Sequence, residues 1–399
     1  MKMWVYLARR ALLLVPVVIG VMTITFILVS QVPVQERLLA FLGPSKHGYA
    51  PQVPCNQLNP GANSSLLCDN PAYFRGIHEL GLDKPAFVQW GIWIYNSFTL
   101  NWGNTSTFSQ ATESLGLGGS NYVVVVLSWY LPYTLELAAV SLLLIIGLSI
   151  PIGNYSAVYR NRPFDQGARV VSFAGYSLPT FLLSILLLMA GTFALGGFIP
   201  ICHNQSTPFE QIYGSWPPPA CLPGQPLTLP SWIDTHGATH PTYFPTVDAL
   251  IHGNVYLAVQ SLQRLILPAL AIAYGSVAGI LRFVRNSMLE VMNLDYIRTA
   301  HAKGVPEGQV VRKHAGRNSL NVTVTVLGLT FAGFISGFPI IESVFGLRGI
   351  GRALAYSILP PIDLGLIFGS TLLFTFIVVI ANLIVDVLYA YLDPRVRLG

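Results

Sequence analysis

An all-α, polytopic membrane protein with six transmembrane helices and two large loops is the architecture the sequence predicts. Three observations carry that expectation. Hydrophobic residues make up 53% of the 399 residues and charged residues only 10%, against about 25% charged in a soluble domain. Apolar runs near 20 residues recur six times, each enough to cross a hydrocarbon core of roughly 30 Å. Lysine and arginine are shared unevenly between the connecting segments. High hydrophobicity with little charge also excludes a disordered chain. The net charge of +5 sits beside apolar runs and not on one soluble face, so nucleic acid is not an expected partner.

The first run covers residues 11–31. Lys2, Arg9 and Arg10 precede it, as in a signal peptide. Its apolar stretch is longer than a signal core, and Val32-Pro33-Val34-Gln35-Glu36 offers no small-x-small cleavage site. An uncleaved anchor is expected. The later runs cover residues 132–153, 170–199, 262–284, 322–341 and 364–391. Only Glu136, Arg264, Arg282 and Asp386 are charged within them, each near a span end. The chain thus divides into tail and first span (1–31), a long loop (32–131), spans two and three (132–199), a second long loop (200–261), and spans four to six (262–399). The last part carries an inner loop at 286–320.

Six spans place both termini on one side. That side carries 15 of the 22 lysines and arginines, Arg282, Arg285, Arg298, Lys303, Arg312 and Lys313 among them. Positive charge stays inside, so both termini are expected in the cytoplasm of a cell-membrane protein. Cys55 and Cys68 then fall in the first outer loop, and Cys202 and Cys221 in the second. Local pairs 55–68 and 202–221 are the simplest of three connectivities, and an oxidising outer face permits them.

Catalytic chemistry finds little footing. No Gly-Lys dipeptide occurs, so there is no phosphate loop of the G-x-x-x-x-G-K-[ST] kind. His236 and His240 have helical spacing, but Gly237 and Pro241 oppose a helix there. No metal, cofactor or catalytic residue is expected on this chain. Pro16, Pro151, Pro179, Pro268 and Pro339 are possible bending points in or beside spans.

The inner loop at 286–320 is the most informative segment. Leu294, Ile297 and Ala300 or His301 recur at helical spacing. Asp295 suits a helix start and Lys303-Gly304 its end. Charge alone reads as a basic loop lying on anionic membrane lipid. The string Tyr296-Ile297-Arg298-Thr299-Ala300-His301-Ala302-Lys303-Gly304 resembles the EAA loop of ABC importer permeases, in the form found in the oligopeptide/dipeptide permease family. Arg298, Thr299, Ala300 and Gly304 stand at the positions of that EAA…G motif. Arg298 replaces the general Glu, as is usual for this subfamily, and Thr299 replaces Ala. The family's later Leu-Pro is absent, since Asn321 follows Leu320.

Further matches follow in the family's order. They are Tyr6 to Pro16 at the start, Leu80-Gly81-Leu82-Asp83-Lys84-Pro85, and Leu131-Pro132-Tyr133-Thr134-Leu135-Glu136-Leu137. Ile341-Glu342-Ser343-Val344-Phe345 with Gly349-Ile350-Gly351 comes next, then Ala381 to Asp386 with Leu392-Asp393-Pro394-Arg395. The departures are enlarged, cysteine-bearing outer loops around 48–70 and 203–259. The resemblance implies a type I ABC importer permease. Asp295, Tyr296, Arg298, Thr299, Ala300, Lys303 and Gly304 would form its coupling helix. Its partners would be a second homologous permease, two cytoplasmic ATPases holding ATP and Mg²⁺, and an extracytoplasmic solute-binding protein. The implied solute is an oligopeptide or dipeptide, with oligosaccharide as the alternative.

The fifth span and the loop after it are the expected pathway wall, with Phe334, Phe338, Glu342 and Phe345 as candidates. An ion-coupled secondary transporter using Glu136 or Asp386 is the rival function, since acids in spans are functional candidates by default. A receptor or structural protein built on the disulfide-bearing loops is a third.

Overall fold

A computed structural model describes residues 3–43, 45–58, 63, 65–105, 122–193, 244–253, 255–316, 318–319, 327, 338–347, 349–359 and 362–392. Helix α1 (Met3–Ser30) is the first apolar run, extended toward the N-terminus through Arg9 and Arg10. The segment after it is partly ordered structure. It holds α2 (Val34–Leu42), strand β1 (Gln52–Pro54), the one-turn α3 (Cys55–Leu58), strand β2 (Leu67–Asp69), α4 (Pro71–Glu79) and α5 (Ala86–Phe98). β1 and β2 pair antiparallel with Val53 opposite Cys68, and Cys55 and Cys68 form a disulfide. Cys202 and Cys221 lie outside the described residues.

Buried Asn70 organises the approach to α4. Its side chain donates to the carbonyls of Gly48 and Ala50 and accepts from the Ala72 N–H. That is an N-cap which also ties down the preceding loop. The disulfide closes a ring over a separation of 13 residues. Replacing both cysteines by serine is expected to destabilise the hairpin by about 3 kcal/mol. Limited proteolysis between residues 55 and 68 measures this, and an unchanged cleavage rate would refute it.

Four helices among the described residues are long and apolar enough to cross a membrane, or five if one bent pair counts as a span. They are α1, α6 (Val123–Val158), α10 (Val255–Met292) and α14 (Leu364–Leu392). All overlap expected spans, and α1, α6 and α10 begin well before them. The expected span at 170–199 carries a sharp break, and its last residues lie outside the described ones. The chain forms α7 (Pro163–Ser177) and α8 (Thr180–Phe193), bent by 107° at the break. Pro179 causes the break: it holds Leu178 in extended backbone, φ −87° and ψ 121°, as a proline does to the residue before it. Pro16, Pro151 and Pro268 instead lie inside continuous helices. The expected span at 322–341 lies largely outside the described residues.

Helix α6 is the hub. It packs along α10, and the core gathers Leu127, Leu137, Ile145, Ile272, Ile280 and Val284. The two backbones come close where a Cβ on Gly153 would lie 2.8 Å from Val284. Small residues permit such approach between membrane helices. Val123, at the start of α6, meets Gly369 near the start of α14. Arg10 of α1 pairs with Asp386 near the end of α14 at 3.4 Å. So α1 and α14 bring the termini to one end of the bundle, and α6 returns to that end. The short helix α9 (Pro245–Ile251) closes the opposite end. There Glu136 accepts the Thr246 N–H at 3.2 Å.

Candidate coupling site

At the termini end, α6 and α10 finish side by side, and α11 (Asp295–Ala302) crosses beneath them. Its buried face is Ile297 and Ala300. They pack with Ala157 of α6, Met288 and Val291 of α10, and Val310 and Ala315 of a π-helical turn (Val310–Ala315). Its ending is a Schellman motif. Gly304 N–H bonds to the His301 carbonyl at 2.9 Å and Val305 N–H to the Ala300 carbonyl at 3.2 Å. Gly304 sits at φ +73°, the left-handed conformation this ending needs. Val305 joins the same apolar cluster, completing the motif's hydrophobic contact.

The opposite face is open. Asp295 and Arg298 are exposed and pair weakly with each other at 3.4 Å. Thr299, Ala302, Lys303 and Gly304 are also exposed. Tyr296 is held by the Asn318 side chain, which donates to its hydroxyl at 2.8 Å. Nothing lies within 4 Å of where a Gly304 Cβ would be. The seven residues expected from the sequence are therefore one short helix and its cap, with Ala300 on the seated side.

Above this seat lies a cluster the sequence did not reveal. Asp165, at the first turn of α7, is fully buried. Arg285 of α10 grips it with two bonds, Nε at 2.7 Å and Nη2 at 3.0 Å. Ser156 of α6 donates its hydroxyl to the same carboxylate, as does the Asn161 N–H at 2.9 Å. Arg169 adds a second cation at 3.1 Å. Three helices meet on one carboxylate, one turn from Ala157 and Met288. The only sequence sign was an acid among basic neighbours, Arg162 and Arg169.

A second cluster holds the far end. Helix α12 (residues 338–345) carries Glu342, and α13 (Ile350–Ser357) begins beside it. The first N–H groups of a helix have no partner within it. Here other elements supply one: Glu342 accepts the Arg352 N–H at 2.9 Å, and Thr134 of α6 accepts the Ile350 N–H at 2.9 Å. Thr134 in turn donates to Glu342 at 2.8 Å. Among the pathway candidates, Phe338 and Glu342 are buried and Phe345 is half-buried. Phe334 lies outside the described residues.

Comparison with known proteins now decides the family. Residues 149–398 match the model described as "Binding-protein-dependent transport system inner membrane component".

The chain belongs to that family.

As a permease it is a multi-pass membrane protein. It is not catalytic by itself and is a component of an ABC transporter, a class that works with an ATPase and a binding protein. Similar curated proteins agree. One is the "Probable D,D-dipeptide transport system permease protein DdpB" of Escherichia coli (strain K12), 32% identical over all of this chain and 99% of that protein. Another is the "Oligopeptide transport system permease protein AppB" of Bacillus subtilis (strain 168), 29% identical over 98% of this chain and 99% of that protein. A third is the "Di/tripeptide transport system permease protein DppB" of Pseudomonas aeruginosa (strain UCBPP-PA14), 29% identical over 98% of each. These matches favour the ATP-driven reading over the ion-coupled one. The two acids of that rival are bound within the fold, Glu136 to Thr246 and Asp386 to Arg10.

Proposed function

We propose that this permease is one half of the translocation pathway of an ATP-driven peptide importer, coupled to a cytoplasmic ATPase through α11 and the loop 286–320. The observation that carries the coupling is the two-faced seating of α11. One face is fixed on the ends of α6 and α10, and the other presents Asp295, Arg298, Thr299, Lys303 and Gly304. A force applied to that open face passes into two membrane helices, because Ile297 and Ala300 give α11 no slack against them. ATP and Mg²⁺ act on the ATPase subunits, not on this chain. Closure of two ATPases would rock the paired spans between inward- and outward-facing states.

The termini end is then cytoplasmic, in keeping with its arginines and lysines. A second homologous permease would complete the pathway, and a solute-binding protein would dock on the outer loops. Short peptides are the solute class, carried over from the similar permeases. Asp386 and Glu136 act as structural groups in this reading.

Pull-down of the tagged chain in mild detergent tests it. The wild-type chain should bring down an ATPase and a second permease. Gly304→Arg should lose the ATPase, since it adds bulk to the open face and strains a left-handed residue by about 1–2 kcal/mol. Gly304→Ala adds the strain without the bulk and should keep the ATPase. A well-folded wild-type chain that purifies alone would overturn the coupling role. Uptake of labelled dipeptide and of labelled oligosaccharide into reconstituted vesicles decides the solute. Uptake of the sugar alone would overturn the peptide assignment.

A further inference from the structure

A cavity of about 70 Å³ lies at the far end of the bundle. Phe26 and Val29 reach it from the last turns of α1, Trp93 from α5, and Phe368 from the start of α14. One water needs about 10–15 Å³ of such space, so the cavity has room for a group of phosphate size. Its polar lining is Arg37, Gln89, Asn96, Ser97 and Asn101. Arg37 of α2 lines it with a buried Nε that has no hydrogen-bond partner. No acid pairs with Arg37 among the described residues, and burial pulls its guanidinium below the ordinary value. Asn96 and Asn101 also line the cavity, and neither side chain is hydrogen-bonded among the described residues. The indole N–H groups nearby are already committed, Trp93 to the Met22 carbonyl and Trp102 to the Ser97 carbonyl, both at 3.0 Å.

A half-buried arginine whose Nε has no partner, beside two amides without one, suits an anion. The flank of the cavity shows what carries that anion. Ile24, Ile27 and Leu28 of α1 and Phe98 of α5 are exposed apolar side chains next to it. It lies where two apolar spans reach their ends, the depth at which arginine and tryptophan meet headgroups. An anionic head and an apolar body side by side define the ligand.

We propose that this cavity binds the phosphate-bearing headgroup of an anionic phospholipid, with Arg37 at the phosphate and Asn96 and Asn101 donating to it. In the reading above, the lipid belongs to the outer leaflet. Only that choice of leaflet rests on the coupling reading.

The test uses the full chain with its co-purifying subunits, stripped of lipid and followed by native mass spectrometry. It is titrated separately with phosphatidylglycerol, phosphatidylcholine and inorganic phosphate. The expected result is one tightly held phosphatidylglycerol per chain, with phosphatidylcholine at least about tenfold weaker and phosphate weaker still. Arg37→Gln should weaken phosphatidylglycerol by about tenfold or more, the loss of one charge-assisted bond. Asn96→Asp places an acid in the same cavity and should do the same with Arg37 intact, so an unfolded Arg37 variant does not end the test. Equal affinity for the two lipids, or unchanged affinity in both variants, overturns the proposal. Phosphate binding as tight as the lipid would make this a free-anion site and overturn the lipid assignment. Loss of a co-purifying subunit from Arg37→Gln, with lipid binding unchanged, would point to a protein carboxylate and overturn it too. Recovery of the ATPase by the wild-type chain is scored separately, so failure of the coupling reading remains distinguishable.

Discussion

Arg285→Ala is expected to cost about 3–5 kcal/mol of folding stability, because it strands a buried carboxylate. Asp165 has no exposed surface, and Arg285 supplies two of its bonds. Arg169 remains within reach at 3.1 Å, so the lower part of that range is expected. Arg285→Lys keeps the charge but loses the planar fork, and should fall between the variant and the wild type. The double variant Arg285→Ala with Asp165→Asn should be more stable than Arg285→Ala alone, since the stranded charge is gone. Thermal unfolding of the purified chain in detergent reads these differences. The loss should also loosen the seat of α11. Proteolysis within 293–320 should therefore quicken in Arg285→Ala before global unfolding. A wild-type melting temperature in Arg285→Ala would show that the cluster does not hold the three helices together.

Gly349→Ala is expected to be nearly as damaging for a different reason. A Cβ there would stand 2.0 Å from the Glu342 carboxylate. Backbone strain is not the issue, because φ at Gly349 is −122°. Glu342 cannot step aside freely, since the Thr134 hydroxyl and the Arg352 N–H both bond to it. Overpacking of this kind costs about 1–3 kcal/mol, occasionally more. Glu342→Ala alone should cost about 1–3 kcal/mol by leaving those donors unmet. In combination the two should cost less than their sum, because the shorter side chain vacates the space that the new methyl needs. Additive losses across that double-mutant cycle would contradict the contact.

Much of this architecture was legible before any coordinates. A bilayer accepts only backbone that satisfies its own hydrogen bonds, so spans must be long apolar helices, and α1, α6, α10 and α14 stand where such runs predict them. Helix α11 was legible for a local reason. Its limits are written in adjacent residues, an acid at Asp295 and a glycine at Gly304 that supplies the left-handed turn. Pro179 was visible as a possible bend, but the 107° turn between α7 and α8 was not. The angle depends on what the freed segments pack against.

The sequence by itself determined the class of solvent this protein lives in, where its four long apolar helices run, and the limits of the short helix α11. These follow from composition, run length and neighbouring residues, all local properties. The tertiary structure alone decided what the charged residues do. Arg285 read as one more inside-positive charge, yet it grips Asp165 across 120 positions of chain. Glu342 read as a pathway acid, and in the fold it caps a helix jointly with Thr134, 208 positions away. A charge in a membrane protein must find a partner or water, and no periodicity in the sequence records which partner. That choice is made by the helices as they pack, when the desolvation of each carboxylate is offset only by donors brought to it from elsewhere in the chain.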